Sequence, residues 1–208
     1  PTPAAPSTDP FALAKALSGM HFIGGAYVPA RSGNTFAVVN PATGAEVARA
    51  AEGDAADVDA AVQNAAKAQK DWAKVPARKR GALVHQCAQL LKEHVDELGR
   101  LIALETGKAL RTESRVEANV VADIFEFFGG LGSELKGESV PFDPKVLSVT
   151  VREPLGVVGA IIPWNVPMLL MALKVAPALV AGNSVVVKSA EEAPLAVLRI
   201  CEIMNRVL

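Results

Sequence analysis

Two short apolar runs decide the fold: VVGAII at residues 157–162 and SVVV at residues 184–187. Neither run alternates apolar with polar side chains, which is typical of strands buried on both faces of a parallel sheet. Between them, residues 165–181 are predicted to form a helix with Pro177 inside it and Gly182 at its end. Pro194 suits the first turn of a second helix, which is predicted to run to Leu208. This order predicts an α/β fold with a parallel sheet and right-handed crossovers.

Polar side chains follow both predicted strands. Trp164 and Asn165 come after the first strand, and Lys188 and Glu191 come at the end of the second. The carboxyl ends of parallel strands lie at one edge of a sheet, where ligands of open α/β folds bind. We therefore expect the amide, the ammonium and the carboxylate to meet in one crevice beside the indole ring.

The three polar groups suit a nucleotide and a carbonyl compound. Lys188 can donate to ribose hydroxyls or face a phosphate, and Glu191 can accept from two ribose hydroxyls while repelling a 2′-phosphate. The Asn165 amide can stabilise an oxyanion, an effect worth ~2.7–4 kcal/mol. Two alternatives stay open: Asn165 could simply cap the following helix, and Lys188 with Glu191 could be an exposed ion pair of little energetic value.

The sequence upstream predicts two hairpins and then helices. Residues 1–20 are expected to be a disordered tail, because residues 1–10 contain four prolines. Gly24-Gly25 predicts a tight turn between two strands, and residues 35–39 and 46–50 predict two more strands. Residues 139–152 predict an extended ribbon. Three helical regions are expected, beginning at Asp54, at Ala77 with a bend near His94, and before Val116.

The helical spacing also predicts which faces are buried. The first helix is expected to bury Val58, Val62, Ala65 and Trp72, and the third is expected to bury a stripe of Val116, Val120, Ile124, Phe127 and Phe128. Glutamates such as Glu93 and Glu97 are expected on solvated faces, and the three histidines at the surface or on helices. Cys87 and Cys201 lie on apolar helical stripes and are expected to be inert core residues.

Composition excludes several classes of protein. The chain has 208 residues, half of them apolar, and a net charge of −1. It therefore lacks the basic field that attracts nucleic acid or anionic lipid. Its longest apolar run is too short for a membrane span, and no histidine or cysteine spacing predicts a metal site. Two cysteines cannot form a disulfide framework, so a cytoplasmic location is expected.

The quoted strands belong to longer segments that resemble one family. Residues 153–167, EPLGVVGAIIPWNVP, and residues 174–194, KVAPALVAGNSVVVKSAEEAP, closely resemble successive segments of the aldehyde dehydrogenase superfamily. FIGGAYVPA at 22–30, VVNPATGAEVARA at 38–50 and ALETGKAL at 103–110 match its N-terminal pattern. The resemblance runs from about residue 21 to residue 208. It implies a Rossmann-like domain without a GxGxxG motif, and NAD-dependent oxidation of an aldehyde to an acid through a cysteine thiohemiacetal.

The resemblance also implies roles for individual residues. Asn165 corresponds to the amide that holds the substrate oxyanion, and Lys188 and Glu191 to the pair that binds the adenosine ribose, which favours NAD over NADP. Ser189 stands where many relatives have proline, with little expected consequence for ribose binding. The other implied cofactor contacts are Ile161, Ile162, Pro163 and Trp164. The implied walls of the aldehyde tunnel are Val166, Leu170 and Leu173, all aliphatic, which predicts a small apolar aldehyde, although their helical spacing by itself favours ordinary core packing.

The resemblance implies the following organisation. After the tail, residues 21–134 are the N-terminal part of the cofactor-binding domain, residues 135–153 bridging strands for oligomerisation, and residues 154–208 the start of the parallel-sheet NAD-binding unit. The catalytic domain, with the nucleophilic cysteine and the general-base glutamate, is expected to be absent from the chain. The chain is therefore expected to be inactive alone, while the full-length enzyme is expected to form a homodimer or homotetramer. The alternatives are a non-catalytic nucleotide-binding module, an oligomerisation fragment and a CoA-acylating relative.

Overall fold

The computed structural model describes residues 9–208, which contain seven α-helices and four two-stranded sheets. The helices are α1 (Pro10–Ala16), α2 (Ala55–Trp72), α3 (Ala77–Glu93), α4 (Val95–Thr106), α5 (Arg115–Gly130), α6 (Pro167–Val180) and α7 (Leu195–Met204). The strands are β1 (Met20–Ile23), β2 (Ala26–Pro29), β3 (Thr35–Val39), β4 (Glu46–Ala51), β5 (Ser139–Asp143), β6 (Val146–Val149), β7 (Val157–Ile161) and β8 (Ser184–Lys188). A π-helical turn (Leu110–Ser114) precedes α5, and a 3-10 turn (Leu131–Ser133) follows it.

The predicted parallel pair is confirmed. Strands β7 and β8 run in the same direction, in a register that aligns Val157 with Ser184 and Ile161 with Lys188. Helix α6 connects them, and both α2 and α6 pack against the pair. The expectation that both faces are fully buried is wrong, because Gly159 and Ile161 are exposed and the residues of β8 are only half-buried or exposed. Two strands leave both edges of the sheet open.

The core lies among the helices rather than over the sheet. Each of the helices α3 to α7 contributes large side chains that are fully buried, for example Leu91, Leu98, Phe125, Met168 and Ile200. Helix α2 is tied to this body by its last turn, where the Trp72 indole N–H donates to the carbonyl of Leu179 at 2.9 Å. Helices α2 and α6, which pack against β7 and β8, thereby attach the two strands to the helical core.

The predicted hairpins are also present. Strands β1 and β2 are antiparallel and joined by Gly24 and Gly25, whose φ angles of 64° and 80° are those that a tight hairpin turn requires. Strands β3 and β4 form the second antiparallel pair. The predicted bend near His94 separates α3 from α4, and Gly107, with a φ of 74°, ends α4.

The predicted disordered tail is wrong from residue 10 onward. Asp9 caps α1 by accepting the N–H of Phe11 at 2.9 Å, and Pro10 occupies the first helical turn, a position that suits proline. Leu13 and Leu17 are buried in the common core, so this short helix is held by tertiary packing. Residues 1–8, which the prediction also covered, lie outside the described residues.

Two predicted helix faces are wrong in part. The predicted residues that are half-buried are Ala65, Trp72, Val120, Ile124 and Phe128, and the last two pack against the core. On α2, Val58 and Val62 are 55% and 40% exposed. On α5, Val116 and Phe127 are exposed, and the buried stripe is instead formed by smaller side chains together with Phe125. The buried apolar side chains of α5 are Ala118, Val121, Ala122 and Phe125. Helix α5 packs closely on both α3 and α6, and small side chains such as Ala118 and Ala122 permit this close approach. The prediction considered only large apolar side chains and therefore did not include these alanines.

The predicted ribbon is confirmed as an antiparallel pair, β5 with β6. Every residue of β5 is exposed, and the apolar side chains of Phe142 and Leu147 are 80% and 84% exposed. An exposed apolar patch of this kind marks an interaction surface in soluble proteins.

Candidate functional site

The carboxyl ends of β7 and β8 form one edge of the parallel pair, as the register of Ile161 with Lys188 requires. At this edge the Lys188 ammonium lies 3.0 Å from a carboxylate oxygen of Glu191. Both side chains are more than half exposed. Such an exposed pair contributes little to stability, but it presents a donor and an acceptor side by side to a ligand.

Trp164, Asn165 and Glu191 line one cavity with a volume of about 560 Å³. The cavity is closed on other sides by β3, by the end of α4 and by the loop that follows it. The further lining residues are Phe36, Ala37, Val39, Pro41, Glu105, Thr106, Lys108 and Glu192. The structure thus brings the predicted amide, carboxylate and indole together, with Lys188 adjacent through its ion pair.

The Asn165 side chain does not cap α6, the alternative that the sequence left open. The N-terminal turn of α6 has no side-chain cap from its own N-cap residue, Val166. The N–H groups of Met168 and Leu169 instead donate to the Glu117 carboxylate, at 2.9 and 3.3 Å. The amide of Asn165 therefore remains available at the cavity wall.

The other predicted cofactor contacts occupy mixed environments. Ile161, Pro163 and Trp164 are exposed at the sheet edge. Ile162 is only 2% exposed, and its N–H donates to the carbonyl of Lys188 at 2.9 Å. Its side chain therefore belongs to the core and could not contact a ligand at the edge. Ser189 is half-buried.

The three predicted tunnel residues lie on or just before the first half of α6. Leu173 is 44% exposed, while Val166 and Leu170 are half-buried, and Leu170 packs against the core. None of the three lines the cavity that contains Trp164 and Asn165. The structure therefore does not bring the Asn165 amide and the predicted apolar wall together in that cavity.

Two buried carboxylates, which were not predicted as functional from the sequence, lie beside this site. Glu105 is 2% exposed and Glu117 is 4% exposed, and each accepts hydrogen bonds from backbone N–H groups of a distant helix. Burial raises the pKa of Glu105 to about 8, although the N–H groups that it accepts act in the opposite direction. The signal that was available is that Glu105 continues the apolar stripe of α4 after Leu98, Leu101 and Ile102, where a carboxylate has no reason to lie unless it is bonded.

Glu97, expected on a solvated face, is buried at 2% exposure. It accepts from the Arg199 guanidinium at 2.7 and 3.2 Å and lies 3.1 Å from the ring of His94, which is also buried. This pairing joins α4 to α7. The expectation that Glu97 faces solvent was wrong because the buried arginine, 102 residues further along the chain, is not visible as a partner in the sequence. His94, expected at the surface or on a helix, is buried between α3 and α4.

Neither cysteine is activated. Cys87 is fully buried in α3, Cys201 is half-buried in α7, and both thiols are free. Burial raises the pKa of each to about 12. Since the thiolate is the nucleophilic form, neither side chain suits covalent catalysis at neutral pH.

Residues 9–208 contain neither a candidate metal site nor a candidate membrane span. No cluster of three or more histidine, cysteine, aspartate or glutamate side chains there has the arrangement of a metal site. In the same residues, no helix combines the length and apolar character that crossing a bilayer demands.

The match to a family model and the similarity to solved structures indicate the same family. Residues 27–207 match the Aldehyde dehydrogenase family. The structure superposes on HpcC from Thermus thermophilus with a TM-score of 0.90 and 35% identity over 95% of this chain. It superposes equally well, with 36% identity over 95% of the chain, on a double mutant of betaine aldehyde dehydrogenase from Staphylococcus aureus in complex with NAD+. PnpE, also solved with nicotinamide adenine dinucleotide, gives a TM-score of 0.89 and 39% identity over 91% of the chain.

The chain spans about 38–40% of the length of these solved structures. The predicted fold class is confirmed within that part, from the N-terminal hairpins to the helix after β8.

Proposed function

Because the chain belongs to the aldehyde dehydrogenase family, we propose that it forms the cofactor-side part of an enzyme that oxidises an aldehyde to a carboxylic acid. The observation that supports this function is the meeting of Asn165, Lys188 and Glu191 at one edge of a parallel strand pair. Two of the solved relatives contain NAD.

NAD is the proposed cofactor, and it accepts a hydride when bound. The residues at the sheet edge fit its adenosine ribose, because Lys188 offers N–H donors and Glu191 offers carboxylate oxygens at 3.0 Å from one another, both exposed. Two neighbouring ribose hydroxyls can then donate to Glu191 and accept from Lys188. The carboxylate would repel a 2′-phosphate, so NAD is preferred over NADP.

Asn165 is the proposed catalytic residue in this chain. Its side-chain N–H would donate to the oxygen of an attacked carbonyl as negative charge develops there. A cysteine thiolate and a general base are also needed to form and hydrolyse a thioester. Since the pKa values of Cys87 and Cys201 are both raised to about 12, we propose that the nucleophile is not one of them and that this chain alone does not turn over an aldehyde.

The remaining roles follow from the family. Residues 21–134 and 154–208 are the proposed cofactor-binding unit, and Val166, Leu170 and Leu173 the proposed wall of a pocket for a small apolar aldehyde. Residues 135–153 are the proposed oligomerisation strands of a homodimer or homotetramer, supported by the exposure of Phe142 and Leu147. We propose a cytoplasmic location, which a chain with only two cysteines and thus without a disulfide framework fits.

Calorimetric titration of the chain with NAD tests the ribose site. We expect binding that weakens at least about tenfold in Lys188→Ala and in Glu191→Ala, because each loses a charge-assisted hydrogen bond. Lys174→Ala is the matched control, because Lys174 is an exposed lysine on α6 that has no role in the proposal. NADP should bind more weakly than NAD, and this preference should shrink in Glu191→Ala. Equal NAD affinity in all three variants would contradict the proposed ribose site.

A further inference from the structure

Helices α6 and α7 begin directly after the two segments that carry the proposed ligand groups. Pro167 opens α6 shortly after Asn165, and Leu195 opens α7 shortly after Glu191. Neither helix is capped by the side chain of its own N-cap residue, which is Val166 in α6 and Pro194 in α7. The first N–H groups of a helix need acceptors, so the acceptors for these two helices come from elsewhere in the chain.

Helix α6 is capped by Glu117 of α5. One carboxylate oxygen, Oε1, accepts from both Met168, at 2.9 Å, and Leu169, at 3.3 Å. The other oxygen, Oε2, pairs with the ammonium of Lys108, a residue that lines the cavity beside Asn165. The carboxylate therefore links the start of α6 to the loop after α4.

Helix α7 is capped by Glu105, the penultimate residue of α4. Here the two oxygens act separately: Oε2 accepts from Leu195 at 2.8 Å and Oε1 accepts from Ala196 at 2.9 Å. Glu105 also lines the cavity that contains Asn165 and Glu191. Both of its oxygens are occupied by backbone N–H groups, so it is oriented as an anchor and not as a free ligand group.

We propose that Glu105 and Glu117 are positioning residues that fix the two ligand-carrying segments separately: Glu117 sets the segment with Asn165, and Glu105 sets the segment with Lys188 and Glu191. The inference rests on the proposed function for what those segments bind, but the two anchors are defined by geometry alone. A carboxylate at a helix N-terminus is favoured by the helix dipole. Both anchors thereby come from one short stretch, residues 105–117, which contains the end of α4, the π-helical turn and the start of α5.

Amide hydrogen exchange measured by NMR tests the anchors. In Glu105→Ala, the N–H groups of Leu195 and Ala196 should exchange at least about tenfold faster, since an opening that costs about 1.4 kcal/mol less speeds exchange by that factor, whereas those of Met168 and Leu169 should not change. Glu117→Ala should give the reverse. Rates are normalised to a core amide of α3, so that a general loss of stability is separated from a local one.

Ligand readouts test the positioning itself. AMP, which carries the adenosine ribose without the nicotinamide, should bind about tenfold more weakly to Glu105→Ala, because the competent arrangement of Lys188 and Glu191 is less populated. Its affinity should not change in Glu117→Ala, in which the side-chain amide resonance of Asn165 should shift instead. If the two glutamates only stabilised the fold, both the AMP affinity and the Asn165 resonance would change in Glu105→Ala and in Glu117→Ala alike.

Conservative and control variants sharpen the test. Glu117→Gln keeps an acceptor oxygen for both Met168 and Leu169, so it should restore their protection. Glu105→Gln should restore the protection of only one of the Leu195 and Ala196 N–H groups, because the glutamine NH₂ group faces the other one. Glu126→Ala, an exposed glutamate on α5 paired with Lys92, is the control and should change neither readout.

Two failures are distinguishable. If the unmodified chain binds neither AMP nor NAD, the proposed ribose site is wrong, and the exchange measurements still decide whether the anchors exist. If Glu105→Ala and Glu117→Ala leave the four amides unchanged, or if each variant alters both pairs equally, the positioning proposal is overturned even when AMP binds.

Discussion

Helix α2 and helices α6 and α7 satisfy their N-terminal N–H groups in different ways. At α2, Asp54 accepts from Ala56 and Asp57 at 2.8 and 3.2 Å, and Asp57 accepts in return from the N–H of Asp54 at 3.1 Å. At α6 and α7 the acceptors are Glu117 and Glu105, which lie 51 and 90 residues away from the N–H groups. A local cap only starts a helix, whereas a distant one also fixes where that helix lies.

The two kinds of cap have opposite electrostatics. The N–H of Asp54 is the main cause of a lowered pKa at Asp57. At Glu105 the main cause is burial, which raises the pKa to about 8, and the nearby Glu117 adds to the increase. Asp57 of the local cap is therefore favoured in its charged form, whereas at Glu105 burial favours the neutral form against the two N–H groups that favour the charged one.

Glu117→Ala should cause the largest loss of stability if distant caps join elements. The variant leaves the N–H groups of Met168 and Leu169 without an acceptor and leaves the mostly buried ammonium of Lys108 unpaired. We expect the free energy of unfolding to fall by about 3 kcal/mol. Urea denaturation followed by circular dichroism measures it.

The matched variant is Glu126→Ala on the same helix. Its partner Lys92 is exposed, so the free energy of unfolding should stay nearly unchanged. A loss as small in Glu117→Ala as in Glu126→Ala would mean that the buried cap contributes nothing to holding α5 and α6 together.

The pH dependence of stability should reveal the cap at Glu105. Its pKa is raised in the folded state from 4.5 to about 8, so the folded state binds the proton more tightly than the unfolded state does. The stability that the protonated Glu105 side chain contributes is fully present below about pH 4.5. It is lost as the pH rises towards 8, by at most about 1.4 kcal/mol per pH unit. Denaturation at a series of pH values measures this decline.

Glu105→Gln isolates that contribution, because the glutamine does not ionise. The difference in stability between the unmodified chain and this variant should change between pH 5 and pH 8, in favour of the variant at the higher pH. A difference that stays constant over this interval would show that Glu105 is charged throughout and that burial does not control it.

The sequence predicted the features that are set by neighbouring residues. Gly24 and Gly25 specify a turn, Asp54 specifies the start of α2, and the unbroken apolar runs of β7 and β8 specify a parallel pair. The apolar pattern failed where tertiary packing decides. The buried stripe of α5 includes Ala118 and Ala122 beside Val121 and Phe125, and helix α1 forms where Leu13 reaches a core built by distant helices.

The candidate site also contains one part that the sequence predicted and another that depends on tertiary packing. The meeting of Asn165 and Glu191 at one cavity follows from the direction of two strands, which the sequence predicted. The direction of the two strands does not predict that Glu105, Lys108 and Phe36 also line that cavity, because those residues come from α4, from the loop after it and from β3. A glutamate in an apolar stripe shows that an acceptor is needed, but only the fold reveals which N–H groups it accepts.

Asp54→Ala should cause the smallest of these losses, because a local cap satisfies N–H groups that water also reaches. Asp54 is exposed, and its removal from an N-cap position is expected to cost about 1 kcal/mol. Urea denaturation measures that loss, and Asp59→Ala is the control, since Asp59 lies on the same helix and accepts only from the side chain of Gln63. The loss should remain confined to α2, so that the exchange of the α6 and α7 amides stays unchanged. If Asp54→Ala instead destabilised the chain as much as Glu117→Ala, the distinction between starting a helix and placing it would have no energetic basis.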